Sequence, residues 1–274
     1  MTRRLYAIGI GSGGLDQVTA EAVRAMNEVD FFLVTDKRKK DGSPGGVTGP
    51  RAAESTDPLV TARGEILARH LDHEPVLVVV DDPERDRSAD GTRSAADYDR
   101  AVGEWHEART DAWERALLDH DGDAGFLVWG DPAFYDSAIR MLDRVIERGR
   151  VEAEIVVIPG ISSLQVLAAR HRIVLHEVGQ PVHVTTGRRL LEAVEQGQDN
   201  IVVMLNRSLD ELRSLSLSKG PSWQIWWGAN LGTGSEQLVH GNVAEVLPRI
   251  EAARDAAKDA AGWVMDVYLL RPIR

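Results

Sequence analysis

The chain has no cysteine among its 274 residues. That excludes disulfides, thiolate metal sites and a cysteine nucleophile together. Long apolar runs are missing too, for none approaches the roughly 20 residues a membrane-spanning helix needs. The opening MTRRLYAIGIGSGG starts basic and turns apolar, but the apolar stretch is short and ends in glycines. It predicts the first strand of a cytoplasmic protein rather than a signal peptide. Positive charge is in deficit: 32 Lys and Arg stand against 43 Asp and Glu, a formal net charge of −11. That balance argues against nucleic acid as a partner, since such binding rests on neutralising phosphates. It leaves room for a small anionic substrate gripped by local arginines. What is present is 43% hydrophobic content, enough for one large domain or two smaller ones.

The rest of the chain is arranged around Phe126–Ser137, FLVWGDPAFYDS. Four apolar residues read as a short buried strand that stops at Gly130-Asp131-Pro132, and Phe134 and Tyr135 then lead into a helix. Gly130 permits backbone angles closed to other residues, and Pro132 stiffens the turn. In open α/β sheets ligands sit beyond the carboxyl ends of the strands, so a carboxylate and two aromatics here form a candidate binding loop. An ordinary strand-to-helix turn capped by Asp131 accounts for the same residues.

In chain order, Leu5–Ile10 is a strand ending in Gly9, Gly11, Gly13 and Gly14. A helix is expected from an Asp16 cap to Asn27, with Val18, Ala22 and Met26 on one face. Phe31–Val34 comes next as a strand. Gly9, Gly11 and Gly14 satisfy the dinucleotide spacing G-x-G-x-x-G, with Asp36 as a ribose ligand, which alone is a weak signal. Residues 36–57 form a Gly- and Pro-rich loop, either a solvated connection or a substrate lid. Helix Leu59–Leu71, strand Val76–Val80 and a polar loop with Arg85 and Arg87 come after it. A long amphipathic helix, Tyr98–Leu118, carries His106 beside Trp105. Helix Asp136–Arg148 and strand Ala153–Ile158 then lead to Pro159-Gly160-Ile161-Ser162-Ser163. Two hydroxyls at that helix start suit anion or carbonyl recognition, although N-capping alone explains Ser162.

Strands alternating with helices over the first half imply a parallel sheet with helices on both faces. His171–Pro181 marks a change of domain, dividing the chain into 1–175 and 176–274. In the second half Val182–Thr185, Ile201–Leu205, Gln224–Gly228, Gln237–Val239 and Trp263–Leu270 lie close enough to predict a mixed sheet. The helix Val243–Ala261 runs before the last of them.

Five segments, GIGSGG, WGDPAFYDS, VIPGISS, VVMLN and WGANLGTGSEQLVHG, occur in the order found in the tetrapyrrole (corrin/porphyrin) methylases. The chain resembles that family from about Leu5 to Leu270. The resemblance implies a two-domain α/β fold, a parallel-sheet N-terminal domain and a mixed-sheet C-terminal domain with the active site in the cleft between them. It also implies an S-adenosylmethionine-dependent enzyme that releases S-adenosylhomocysteine, needs no metal and forms a homodimer. Carried over by motif, the cofactor contacts are Gly130, Asp131, Phe134, Ser162, Ser163, Met204 and Leu231, with Ser12 a weaker candidate. One departure stands out: the family's first loop usually reads Gly-Pro-Gly-Asp-Pro, whereas here it is Gly11-Ser12-Gly13-Gly14-Leu15. The family's acid is therefore absent, while Thr19 is kept.

The segments FLVTDK, DPERDR, AVGEWHEAR, TTGRRL and WWGANLGT resemble the branch that methylates precorrin-5 at C1 and releases acetate in aerobic cobalamin synthesis. Losing an acetyl group calls for water and a general base, for which Asp131, Tyr135, Asp136 and His106 are candidates. Peripheral carboxylates of a tetrapyrrole call for arginines, and Arg85, Arg87, Arg188 and Arg189 lie near expected strand ends. Other readings stay open: a methylase of the same fold acting on another precorrin, a ribosomal RNA ribose or the diphthamide precursor; an NAD-dependent oxidoreductase; or a non-catalytic sensor.

Overall fold

A computed structural model describes residues 2–36, 58–81, 95–218 and 220–273. The loop 37–57 and the arginines Arg85 and Arg87 lie outside the described residues. The chain divides into two compact units, Met1–Ile10 with Val18–Gly160, and Gly11–Gln17 with Ile161–Arg274.

The first unit holds strands β1 (Arg3–Gly9), β2 (Phe31–Asp36), β3 (Leu77–Asp81), β4 (Ala124–Val128) and β5 (Ala153–Ile158). They form one sheet in the order β3-β2-β4-β1-β5, and every pairing is parallel. Its helices are α1 (Ala20–Glu28), α2 (Pro58–His70), α3 (Ala95–Asp119) and α4 (Ala138–Glu147). Successive side chains of a strand face opposite ways, so the two faces of β1 meet different helices. Leu5 and Ala7 pack with Trp113, Leu117, Met141 and Leu142 of α3 and α4. Tyr6 and Ile8 pack with Ala22, Met26, Ile66 and Leu67 of α1 and α2. A strand covered on both faces must be apolar throughout, and Leu5–Gly9 is buried without a break. Each fully buried Leu or Ile adds about 1.5–3 kcal/mol to stability before chain entropy is counted.

The second unit holds α5 (Ser163–His171), β6 (His183–Thr186), α6 (Leu190–Glu195), β7 (Ile201–Met204), α7 (Asp210–Leu217), β8 (Trp223–Ala229), β9 (Gln237–Asn242), α8 (Val243–Ala261) and β10 (Asp266–Pro272). The sheet order is β6-β7-β10-β8-β9, with β6 and β7 parallel and the other pairings antiparallel. This is the mixed sheet expected. One face carries Trp223, Ile225, Trp227 and Tyr268 against Val246, Leu247 and Ile250 of α8. The other carries Val202, Val267 and Leu269 against Leu164 and Leu167 of α5. The division drawn from the sequence falls after residue 175 and this one after Gly160, so residues 161–175 and Gly11–Gln17 both change sides; the apolar side of α5 is buried on the second sheet.

Several boundaries shift by a few residues, and two of the shifts have a clear cause. The first helix does not begin at an Asp16 cap; Leu15–Gln17 is a separate 3-10 turn, and Thr19 caps α1 by accepting from Ala22 N–H at 3.0 Å. The last strand begins at Asp266, not Trp263, because Met265 N–H is taken by the Asn230 side chain and its carbonyl by Asn230 N–H.

Candidate functional site

In the first unit the chain leaves β1 towards β2 on one side, while β4 returns beside β1 and feeds β5 on the other. The loop after β4 therefore lies where the connections diverge, the position at which open parallel sheets bind ligands. Three backbones converge there. A Cβ on Gly9 would lie 2.5 Å from Gly160 N and 3.0 Å from Gly130 O, and one on Gly160 would collide with the Gly130 carbonyl oxygen. Gly130 has φ of +75°, and a Cβ there would meet nothing within 4 Å. It is glycine for its backbone angle and leaves open space above the strand end.

Asp131 comes next, and both of its carboxylate oxygens are engaged. Oδ2 accepts from Gly160 N–H at 2.9 Å and Oδ1 from Ala133 N–H at 2.8 Å. Asp136 Oδ1 accepts from Ala138 N–H at 2.6 Å, beside the Ser137 cap of α4. Between them stand Phe134 and Tyr135, 36% and 45% exposed. Tyr135 has φ of 54°, an uncommon backbone state for a bulky side chain, of the kind that gathers at ligand sites. The loop thus commits carboxylate oxygens to backbone N–H groups, its own and that of Gly160, and presents two aromatics.

Helix α3 also reaches this loop. His106 is half-buried on it, its ring 4.9 Å from that of Trp105. Arg109 lies over Trp105 at 4.7 Å and Trp113 at 5.8 Å, and donates from Nη1 to Ser137 Oγ at 3.3 Å. Sequence reading passed over Arg109. The Trp-x₃-Arg-x₃-Trp spacing, which puts all three on one helix face, is the signal that could have found it.

The glycines after β1 do not form a dinucleotide loop. Gly9 is explained by Gly160, and Gly11 and Gly14 by the Gln17 side chain and backbone, at 2.9–3.0 Å from their would-be Cβ atoms. No helix begins at Gly14, as a pyrophosphate cradle requires. The oxidoreductase reading falls with that geometry.

In the second unit the candidates gather at one end of the sheet. Met204 pairs in register with Thr186, and Ala229 with Asp266. Met204, the turn Gly187–Arg189 and the segment Asn230–Leu231 all leave the sheet there. Met204 is half-buried in the core beside Leu231. Leu205 after it has φ of 55° and is 58% exposed. Ser162 caps α5, and Gln165 Oε1 accepts from both its N–H at 2.8 Å and its Oγ at 2.9 Å. The Ser162 hydroxyl is accordingly committed to the cap, and Ser163 opens the helix. Arg188 and Arg189 are exposed. Arg189 is bonded to Glu192 at 2.9 and 2.7 Å, and those bonds hold the Glu192 carboxyl below its ordinary range.

Beneath this edge lies a polar group that sequence reading missed. Asp266 is buried and accepts from Trp227 Nε1 and Arg254 Nε, both at 3.2 Å. Burial pushes its carboxyl above the ordinary range, and Arg254 opposes that shift. Arg254 also donates to the carbonyls of Asn206 and Arg207 at 3.3 and 3.2 Å, so the pair supports the backbone just past Met204. Among the described residues there is no group of three His, Asp or Glu side chains able to hold a metal, and no helix long and apolar enough to cross a membrane.

Residues 4–247 match the sequence model of the tetrapyrrole (corrin/porphyrin) methylases. The chain is 39% identical over 275 residues, 98% of its length and 95% of the relative's, to precorrin-6A synthase [deacetylating] of Sinorhizobium sp. Among solved structures it is similar to a cobalamin synthesis related protein (CobF) from Corynebacterium diphtheriae, with TM-score 0.77, 28% identity and full coverage of both chains. The fold is shared with uroporphyrin-III C-methyl transferase from Thermus thermophilus, solved in complex with S-adenosylhomocysteine, at TM-score 0.54 and 16% identity over 98% of this chain and 97% of that one.

Proposed function

This chain belongs to the tetrapyrrole (corrin/porphyrin) methylases, and from that premise we propose that it is an S-adenosylmethionine-dependent C-methyltransferase that methylates precorrin-5 at C1 and releases acetate, giving precorrin-6A. The observation that carries this reading is the 39% identity to precorrin-6A synthase [deacetylating] kept over 98% of the chain.

The residues present suit a nucleoside-bearing cofactor. In the first unit, open space over Gly130 and the exposed Phe134 ring offer an apolar face at a strand end; in the second, half-buried Met204 is apolar, while Leu231, 2% exposed, has only its backbone to offer. Gly130, Asp131, Phe134, Ser162, Ser163, Met204 and Leu231, with Ser12, are the groups proposed to hold it, several of them through backbone atoms. The bound cofactor supplies an electrophilic methyl group. The chain's task is then to hold a macrocycle carbon in line with it, and such positioning can lower a barrier by about 7–11 kcal/mol.

Acetate release adds a proton to be moved. Water attacks the acetyl carbonyl, the bond from that carbonyl to C1 breaks, and the electron pair stays on the macrocycle carbon that takes the methyl group. Asp131 has both oxygens engaged by backbone N–H groups, whereas Asp136 has one. Asp136 is therefore the favoured base over Asp131, with Tyr135 and His106 as the remaining candidates. Arg188, Arg189 and Arg109 are proposed partners for substrate carboxylates. The same reading extends to a cytoplasmic homodimer whose partner is a small tetrapyrrole rather than nucleic acid or membrane, in keeping with the charge of −11.

The test supplies precorrin-5 with methyl-labelled cofactor and counts labelled product and acetate together. A one-to-one ratio is expected. Labelled product that keeps its acetyl group overturns the deacetylating assignment, and absence of label overturns the methyl transfer.

A further inference from the structure

One side chain, Gln17, is surrounded by the two glycine-rich loops of the second unit. Its Oε1 accepts from Ser12 Oγ–H at 3.1 Å and from Gly14 N–H at 3.3 Å, and its backbone N–H donates to Gly14 O at 2.9 Å. Three glycines make room for it. A Cβ on Gly11 would lie 3.0 Å from Gln17 Cβ, one on Gly14 2.9 Å from Gln17 Cδ, and one on Gly232 2.6 Å from Gln17 Oε1. Gly14 also abuts the far loop directly, its would-be Cβ standing 3.0 Å from Gly232 O.

Gly232 is fixed from its other side. Its N–H donates to Glu236 Oε2 at 2.6 Å, and Arg170 Nε of α5 donates to both Glu236 oxygens at 2.9 and 3.0 Å. A continuous run of contacts thus joins α5, through Arg170 and Glu236, to Gly232, then Gln17, then Ser12 and Gly14. The segment Gly11–Gln17 sits in sequence between β1 and α1 of the first unit, yet it belongs to the second. Gln17 is the side chain that fastens it there. The same contacts account for Gly14 standing in this loop, because a larger residue at 14 would strike both Gln17 and the Gly232 carbonyl.

We infer that Gln17 is a positioning residue for the methyl-donor site: its amide oxygen accepts from Ser12 and Gly14, and so holds that loop in packing contact with Gly232, next to Leu231. This rests on the function proposed above, since Ser12 and Leu231 are cofactor contacts only in that reading. Acceptance by Oε1, rather than bulk, is the operative property. Gln17→Glu keeps two acceptor oxygens on the same stem, whereas Gln17→Met keeps the volume and accepts nothing comparable.

The experiment measures S-adenosylhomocysteine affinity by calorimetry, and hydrogen exchange in peptides covering 11–17 and 230–236, for the wild type and both variants. Gln17→Met is expected to bind about tenfold more weakly, the equivalent of about one net hydrogen bond. It should also lose exchange protection in those two segments while β1, β8 and β10 stay protected. Gln17→Glu is expected to stay within about threefold of wild type. Equal affinity of Gln17→Met and wild type overturns the inference, as does equal weakening of both variants. Loss of protection throughout the second sheet in Gln17→Met also overturns it, since that marks a general stabilising role. Wild-type protein that binds no S-adenosylhomocysteine, while 11–17 is protected in wild type and exposed in Gln17→Met, sinks the proposed function and the cofactor role, and leaves Gln17 a loop fastener only.

Discussion

The carboxylate of Asp131 accepts a hydrogen bond from the backbone N–H of Gly160 at 2.9 Å, joining the loop after β4 to the end of β5. With Ala133 N–H on its other oxygen at 2.8 Å, this side chain holds the shape of the aromatic-bearing loop. Asp131→Ala should therefore lower unfolding free energy by about 1.5–3 kcal/mol, the range for hydrogen bonds to a charged acceptor. Asp131→Asn should lose less, because one acceptor oxygen remains. Denaturant titration of the three proteins checks this, and a stability for Asp131→Ala equal to wild type would assign the carboxylate to ligand alone.

Gly160→Ala should be among the most damaging single substitutions in the first unit. Its Cβ would drive into the Gly130 carbonyl and lie 2.9 Å from Gly9, and backbone cannot yield as a side chain does. A loss of about 2–3 kcal/mol or more is expected, at the upper end of overpacking costs. Gly64→Ala in α2 is the matched control, with nothing within 4 Å of the added methyl, and should gain about 0.5–1 kcal/mol. Thermal unfolding of the pair reads both signs.

His171 predicts a pH dependence. Burial is the main cause holding its imidazole below the ordinary value; the Trp227 carbonyl, at 3.0 Å from Nε2, pulls the other way, His240 adds to the depression and Glu236 opposes it. A depressed imidazole takes up its proton later in the folded state than in the unfolded chain. Folding stability should therefore be fully present above the ordinary imidazole pKa of about 6.5 and fall as the pH drops from there towards the folded value. Unfolding free energies of wild type and His171→Gln between pH 8 and pH 5 separate the effect: the slope attributable to His171 should vanish in the variant.

Removing Arg254 should be worse than neutralising its partner. Arg254→Met leaves Asp266 buried without its cationic partner, Trp227 Nε1 still donating to its Oδ2, and breaking a buried pair in this way costs about 3–5 kcal/mol. Asp266→Asn removes the charge that needs compensation and should cost less. The double variant should be less destabilised than the sum of the two, and a measured cycle showing simple additivity would mean the two groups do not depend on each other.

The local pattern of the chain was enough to set the order of its elements, the parallel first sheet and the mixed second one. Those arise from short-range physics: β-branched runs such as Ala153–Ile158 and the amphipathic repeat of Val243–Ala261 declare strand and helix by period alone. The helix Val243–Ala261 has the very bounds expected of it. The five ordered motifs likewise identify the family from sequence alone. Legibility failed where a side chain's partner is remote in sequence. Asp16 looked like a helix cap because capping is judged from neighbours, whereas Gln17 is held in its own loop against Gly232 and the helix starts at Ala20, capped by Thr19. Gly9, Gly11 and Gly14 looked like a phosphate cradle because spacing says only that small residues are needed, not what fills the space they leave. Asp131 read equally as a ligand-binding acid or as the cap of a turn, and Asp266 went unnoticed inside a strand. Folding brings Gly160 to the first, and Trp227 and Arg254 to the second. Hydrogen bonds between residues tens of positions apart leave no periodic trace in a sequence, so only the tertiary structure decided which polar groups are committed to the fold and which remain for chemistry.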